Sequence, residues 1–321
     1  MNQRTAIPPW GLAITAMLSV QLGSALSVDL IGVVGPAGTA WLRLSMGALI
    51  LFILVRPPLR SIRRRDVPTI FGLGVATGVM TLGFLAALEH IHLGTAVAIE
   101  FLGPLTVAAV RSHRKRALAW PAIALVGVVL MTQPWAGAVN LTGVGFAAMA
   151  AVGWAAYILL TQRIGDRFTG IGALSLTIPI AALTAAIVGI PPTAGHITPG
   201  ILAASLGLAV LLPVLPFALE MLALRRMTPT AFGTLMALEP AIGVLLGLLI
   251  LQQQLGLLQI IGIVLVVLAG AASQRGGIRP PNANRPAKPQ RRYRRDRGSW
   301  AAAGSGKSLT PEKLPVPPTS P

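Results

Sequence analysis

Apolar residues fill this chain in long, nearly unbroken runs, and the polar positions fall between the runs rather than alternating within them. Each run is about 17 to 25 residues long, enough for a helix rising 1.5 Å per residue to cross a hydrocarbon core of about 30 Å. Ten such spans follow one another from Trp10 to Ala272, over approximately residues 10–28, 36–55, 68–88, 93–110, 118–134, 141–162, 169–190, 200–224, 228–250 and 255–272. Continuous runs exclude a β-barrel, whose strands alternate. Gly and Pro recur inside the spans. In a bundle this is tolerated, because small residues let backbones approach and neighbouring helices satisfy the carbonyls a proline frees. The pattern predicts an all-α membrane protein with ten transmembrane helices.

Charge tests that count independently, since Lys and Arg collect on the cytoplasmic side of a membrane. Arg60, Arg63, Arg64 and Arg65 follow the second span; Arg111, Arg114, Lys115 and Arg116 the fourth; Arg163 and Arg167 the sixth; Arg225 and Arg226 the eighth. The intervening loops carry no Lys or Arg. With Arg4 ahead of the first span and Arg275 onward behind the last, both termini are expected in the cytoplasm. The first span has one preceding Arg and no convincing cleavage site, so a retained helix is expected rather than a signal peptide.

Composition agrees with this reading. Apolar residues make up 54% of the 321 positions and charged residues 11%, with a mean hydropathy of +0.74, whereas a water-facing surface needs roughly 25 to 35% charge. The absence of cysteine excludes disulfide frameworks, thiolate metal sites and Cys nucleophiles. The net charge of +17 invites a nucleic-acid reading, but much of it lies in a short tail: residues 273–321 hold 11 Lys and Arg against 2 acidic residues. That tail, with nine Pro and five Gly, cannot bury a core and is expected to be disordered. Its basic cluster around Tyr293 is read as a topology anchor attracted to anionic lipid, not as a nucleic-acid arm.

An odd number of spans in each half reverses the second half relative to the first, so an internal repeat would be inverted. Gly94-Thr95-Ala96-Val97-Ala98-Ile99-Glu100 on the fourth span matches Gly233-Thr234-Leu235-Met236-Ala237-Leu238-Glu239 on the ninth. A three-residue shift instead pairs Pro104 with Pro240 and Ala87-Leu88 with Ala223-Leu224, so the register stays open. The expected organisation is two five-helix repeats, 1–134 and 135–272, followed by the tail 273–321.

These motifs, with Gly153 to Arg163 (GWAAYILLTQR) and the long run Leu215 to Ala241 (LPFALEMLALRRMTPTAFGTLMALEPA), resemble the EamA-type drug/metabolite transporter superfamily. Within it they are most similar to the threonine/homoserine exporters of bacterial inner membranes. The resemblance covers about residues 10–272. It implies export of small amino acids or related metabolites by alternating access, coupled to inward proton movement, with no cofactor.

Ionisable groups inside hydrocarbon are expensive and face the bundle interior by default. Arg43, Glu100, Glu220 and Glu239 qualify. Glu239 falls near the midplane just before Pro240, where a locally opened helix beside a carboxylate suits an ammonium or a proton. Glu100 and Arg43 lie about 9 and 10 Å from the external face at 1.5 Å per residue. They either pair with each other or divide the amine and carboxylate of a substrate between them. Glu220, about 6 Å from the cytoplasmic end of its span, either serves the site or reaches toward Arg225 and Arg226. Gln21 adds a polar group at depth, and Trp154, Tyr157 and Thr161 share one helix face, an aromatic wall able to hold an ammonium. Each also has a plain packing role as its alternative. Glu89, His90 and His92 form too small a cluster for a metal, and no phosphate loop, HExxH or GxSxG motif is present. The expectation is therefore a non-enzymatic exporter whose partners are a small-molecule substrate, protons and anionic lipid. An exporter of drugs, nucleosides or other metabolites on the same fold, and a membrane scaffold, are the rivals.

Overall fold

The computed structural model describes residues 8–55, 62–111, 115–133, 135, 140–164, 171–224, 226, 232 and 235–275. Among these every regular element is helical, and the helices belong to one compact unit. In chain order they are α1 (Pro9–Leu54), α2 (Val67–Leu88), α3 (Leu93–Arg111), α4 (Ala119–Thr132), α5 (Leu141–Ile164), α6 (Ile171–Thr193), α7 (Pro199–Ala209), α8 (Leu215–Leu224), α9 (Glu239–Leu249) and α10 (Leu257–Arg275). Six helical stretches are long and apolar enough to cross a membrane: Pro9–Leu54, Arg64–Leu88, Leu93–Arg111, Leu141–Thr161, Gly172–Thr193 and Pro199–Glu220. Ala119–Thr132, Glu239–Leu249 and Leu257–Ser273 are shorter apolar helices. Most of the basic tail, from residue 276, lies outside the described residues, as do Gly233 and Thr234 of the second repeat motif and much of the span expected over 228–250.

At 46 residues α1 would run about 69 Å if straight, more than twice the hydrocarbon thickness. It is broken at Gly35, whose φ of 72° and ψ of 168° belong to a region essentially open to glycine alone, and Pro36 follows. The two arms, 9–34 and 36–54, fold back on one another: Arg43 on the second donates to Ser27 on the first, 16 residues away, a contact that a straight helix would hold about 24 Å apart. The apolar spans 10–28 and 36–55 imply a connection over residues 29–35. The helix instead continues to residue 34, so a single glycine makes the turn.

Helices here have no hydrophobic advantage over lipid when they meet, so close backbone approach decides the packing. α1 lies against α6, where Gly189 abuts the Ala37 carbonyl; α2 lies against α5, where Gly83 abuts the Phe146 carbonyl; α4 lies against α10. In that last pair Gly127 and Gly262 are reciprocal, each facing the other's carbonyl oxygen. The outer surface is apolar, with Phe52, Ile53, Val152, Leu183 and Ile187 at least 65% exposed, as suits helices solvated by hydrocarbon.

A Cβ at Gly127 would lie 2.5 Å from the Gly262 carbonyl oxygen. Gly127→Ala and Gly262→Ala should each destabilise the bundle by about 1–3 kcal/mol through overpacking. Gly145→Ala, with nothing within 4 Å of its new methyl, should leave it unchanged or slightly stabilised. Thermal melting in detergent separates the three.

Candidate functional site

The helix from Pro199 to Leu224 is interrupted at its centre. α7 starts at Thr198, whose side chain accepts from the Ile201 N–H. After Ala209 the backbone loosens into a π turn, Val210–Val214, in which Leu212 is extended (φ −159°, ψ 115°) and Pro213 supplies no N–H. α8 then resumes. The interruption is held from outside its own helix: the Ser19 hydroxyl donates to the Leu211 carbonyl at 2.8 Å. Both arms of α1 bring a glycine against it, Gly23 toward Leu211 and Gly47 toward Pro213, with ideal Cβ positions 3.2 Å from the nearest side-chain atoms. Irregular backbone at this depth is tolerated only where protein or a cavity receives it.

Both occur here. Leu212 and Pro213 line a cavity of about 230 Å³ at the centre of the bundle. Arg43, Glu100, Glu220, Glu239, Gln21, Trp154 and Tyr157, seven of the eight side chains singled out by sequence, line the same cavity. Thr161 does not; it is exposed, and its hydroxyl donates to the Tyr157 carbonyl. Trp154 stands edge-on to Phe101, ring centroids 6.1 Å apart.

Glu239 is the first residue of α9, with Pro240 in the first turn, so its carboxylate sits at the positive end of that helix. Gln21 on the first arm of α1 donates to Glu239 Oε1 at 3.3 Å. The two are 1% and 6% exposed. Arg43, 2% exposed, donates through Nη1 to Ser27 Oγ at 3.4 Å, and Ser27 in turn donates to the Gly23 carbonyl at 2.6 Å. Three buried side-chain atoms lack a hydrogen-bond partner among the described residues: Gln21 Oε1, Arg43 Nε and Glu239 Oε2. All three residues line this cavity. Buried polar groups are almost always bonded, so these atoms call for partners that the described residues do not supply.

The direct ion pair considered between Arg43 and Glu100 is not formed. Arg43 donates to Ser27 on the first arm of α1, and no described ion pair joins it to a carboxylate. Glu220 faces the cavity rather than snorkelling away, and Arg225 lies outside the described residues. At the opposite end of α2, His90 stacks on Phe146 with centroids 6.0 Å apart. Among the described residues no cluster of three His, Asp or Glu side chains is arranged for a metal. Ser19, Ser27 and the glycines that receive the broken helix were not picked out in advance. Small residues in apolar runs are common, and nothing local marks Ser19 as the partner of a carbonyl 192 residues away, or Ser27 as the partner of Arg43.

A largely apolar cavity that gathers one guanidinium and three carboxyl groups inside a bundle of apolar helices, with one helix broken beside it, defines a membrane transporter. The EamA-like transporter family model matches residues 141–272. The threonine/homoserine exporter RhtA of Salmonella typhimurium (strain SL1344) is 35% identical over 268 residues, 80% of this chain and 88% of that protein. RhtA of Escherichia coli (strain K12) is 34% identical over 275 residues, 83% and 90% respectively. The chain belongs to the EamA-like transporter family, together with these exporters, which are not enzymes. A solved structure described only as "Crystal structure of protein" shares the fold, with a TM-score of 0.56 at 17% identity over 84% of this chain and 99% of that one.

Ser19→Ala would leave the Leu211 carbonyl without its donor and should lower stability by about 1–3 kcal/mol. Ser205→Ala, which removes only a bond to the carbonyl four residues back in the same helix, should cost much less. Detergent melting curves of the two variants give the comparison.

Proposed function

We propose that this chain exports small amino acids of the threonine or homoserine kind across a bacterial inner membrane, by alternating access and in exchange for protons. The observation that carries this reading is the set of unpaired atoms in the cavity: two acceptors, Gln21 Oε1 and Glu239 Oε2, and one donor, Arg43 Nε. An α-amino acid complements them, because its ammonium only donates and its carboxylate only accepts. In this assignment Arg43, held by Ser27, receives the carboxylate, and Gln21 with Glu239 receives the ammonium. Glu100 adds a second anionic group, Trp154 and Tyr157 form the aromatic wall, and Glu220 lies toward the cytoplasmic mouth. A drug-sized ligand is disfavoured, since 230 Å³ is below the range of about 300–1,000 Å³ usual for such sites.

Three carboxyl groups share the cavity with one guanidinium, an excess of acid that a proton or an ammonium offsets. If Glu239 takes up a proton from outside, it loses its hold on the ammonium, so protonation and substrate binding exclude each other. Net export follows when each state is reached from one side of the membrane only.

The architecture proposed with this cycle is ten spans in two inverted repeats, 1–134 and 135–272, with both termini and the lipid-attracted tail in the cytoplasm. The break at Gly35 divides the first long helix into two of these spans, and α7 with α8 make one. Helix pairing favours the repeat. α2 on α5 has its counterpart in α7 and α8 on the first arm of α1, while α4–α10 and α3–α9 each pair a helix with its own counterpart. The mutual contact of Gly127 and Gly262 is the one expected where a pseudo-twofold axis passes. It favours a spacing of 135 residues, close to the shifted register.

Glu239→Gln keeps the shape of the side chain and removes its charge. In proteoliposomes it should abolish threonine transport driven by an imposed pH gradient while the protein stays folded and inserted. Transport at the parental rate with an unchanged response to the gradient would remove Glu239 from the coupling role. Reporter fusions near Arg64 and Arg114 should read cytoplasmic, and those near His92, Gly137 and Pro192 external; a cytoplasmic reading at Pro192 would break the ten-span arrangement.

A further inference from the structure

A hydroxyl inside an apolar helix has a standard local partner, the carbonyl one turn back. Buried Ser and Thr side chains of this bundle take it: Ser24 bonds to Val20, Ser27 to Gly23, Thr77 to Leu73 and Thr193 to Gly189. Thr81, Thr95 and Thr177, all buried, depart from the rule, and among these three Thr81 alone lines the central cavity. It stands one turn beyond Thr77 on the cavity face of α2 and is 5% exposed. It lines the central cavity beside Met80, Phe84 and Trp154, yet its hydroxyl makes no hydrogen bond with any described residue.

Arg43 and the Gln21–Glu239 pair account for the two charged ends of an amino acid, which leaves the substrate side chain to meet the rest of the wall. That wall is mostly apolar, and an apolar pocket rejects an added hydroxyl, or accepts it, with little discrimination. A site that hydrogen-bonds a substrate hydroxyl discriminates far more strongly against the analogue lacking it. We propose that Thr81 is the specificity-determining residue for the substrate side chain, bonding its hydroxyl and so separating threonine from valine, which has the same shape with a methyl in that place. This rests on the amino-acid export reading above and adds to it the feature of the substrate that is recognised.

The test uses the full-length protein in liposomes and measures counterflow of labelled threonine and labelled valine, which needs no proton gradient. In Thr81→Val the ratio of kcat/KM for threonine over valine should fall about tenfold, mainly through a higher KM for threonine, with valine transport retained. Thr81→Ser should keep the parental ratio. Thr81→Ala, which adds no atom to the wall, should repeat the loss and so covers the case in which Thr81→Val packs badly. An unchanged ratio in both Thr81→Val and Thr81→Ala, or a loss in Thr81→Ser equal to theirs, overturns the role of Thr81 and leaves amino-acid export standing. Counterflow of neither amino acid by the parent protein overturns the export reading and this inference with it.

Discussion

Hydrocarbon offers a peptide group no hydrogen bonds, so a chain that lives in it must satisfy its backbone internally or leave helix only where another part of the protein takes over. Several departures from regular helix among the described residues are matched by a specific partner. The Leu211 carbonyl, freed where the helix opens before Pro213, is bonded by Ser19. The first N–H of α3, at Leu93, is received by the side chain of Gln253, and the Met131 carbonyl at the end of α4 by Gln259. Against that background Gln21 Oε1, Arg43 Nε and Glu239 Oε2 stand out as fully enclosed side-chain atoms with no partner among the described residues.

The same constraint explains why the cavity lies where it does. An open stretch of backbone needs room on one side and support on the other. Gly23 and Gly47 supply the support by letting both arms of α1 reach the π turn, and the cavity supplies the room. A side chain at either glycine would push the arms outward and widen the cavity that the polar groups converge on. Packing and chemistry are therefore not separable at this point of the fold. The segment that interrupts the helix is also the wall facing Gln21 and Glu239, well placed to sense whether a ligand joins them.

For a transporter, this coupling between an irregular helix and a charged cavity has a functional meaning. The alternating-access cycle proposed above needs packed arrangements close in free energy, and backbone that is held by side-chain hydroxyls and glycine contacts can be re-paired at a modest cost. A continuous helix offers no such alternative. The relatives with curated names are exporters, and the cavity's modest size and mixed charge agree with cargo that is small and zwitterionic.

Much of this protein was legible in its sequence. Burial in lipid is a property of composition summed over about 20 residues, so the apolar runs located most of the described helices to within a few positions, although the first runs on to residue 34 and α9 covers only Glu239–Leu249 of the span expected over 228–250. The scarcity of charge inside the runs singled out Arg43, Glu100, Glu220 and Glu239. Gln21, Trp154 and Tyr157 followed from the same logic of depth and helical face. What required the tertiary structure were relations between residues distant in the chain. No local pattern says that Arg43 bonds Ser27 rather than Glu100, that Ser19 bonds a carbonyl near Pro213, or that Gly35 alone reverses the first helix where the spans imply a longer connection. Thr81 reads as one more threonine in an apolar helix until its neighbours are seen bonding to their own backbone and it is not. Hydrophobicity is additive along the chain and can be read from it, whereas hydrogen-bond pairing is a choice among partners that only the folded bundle brings together.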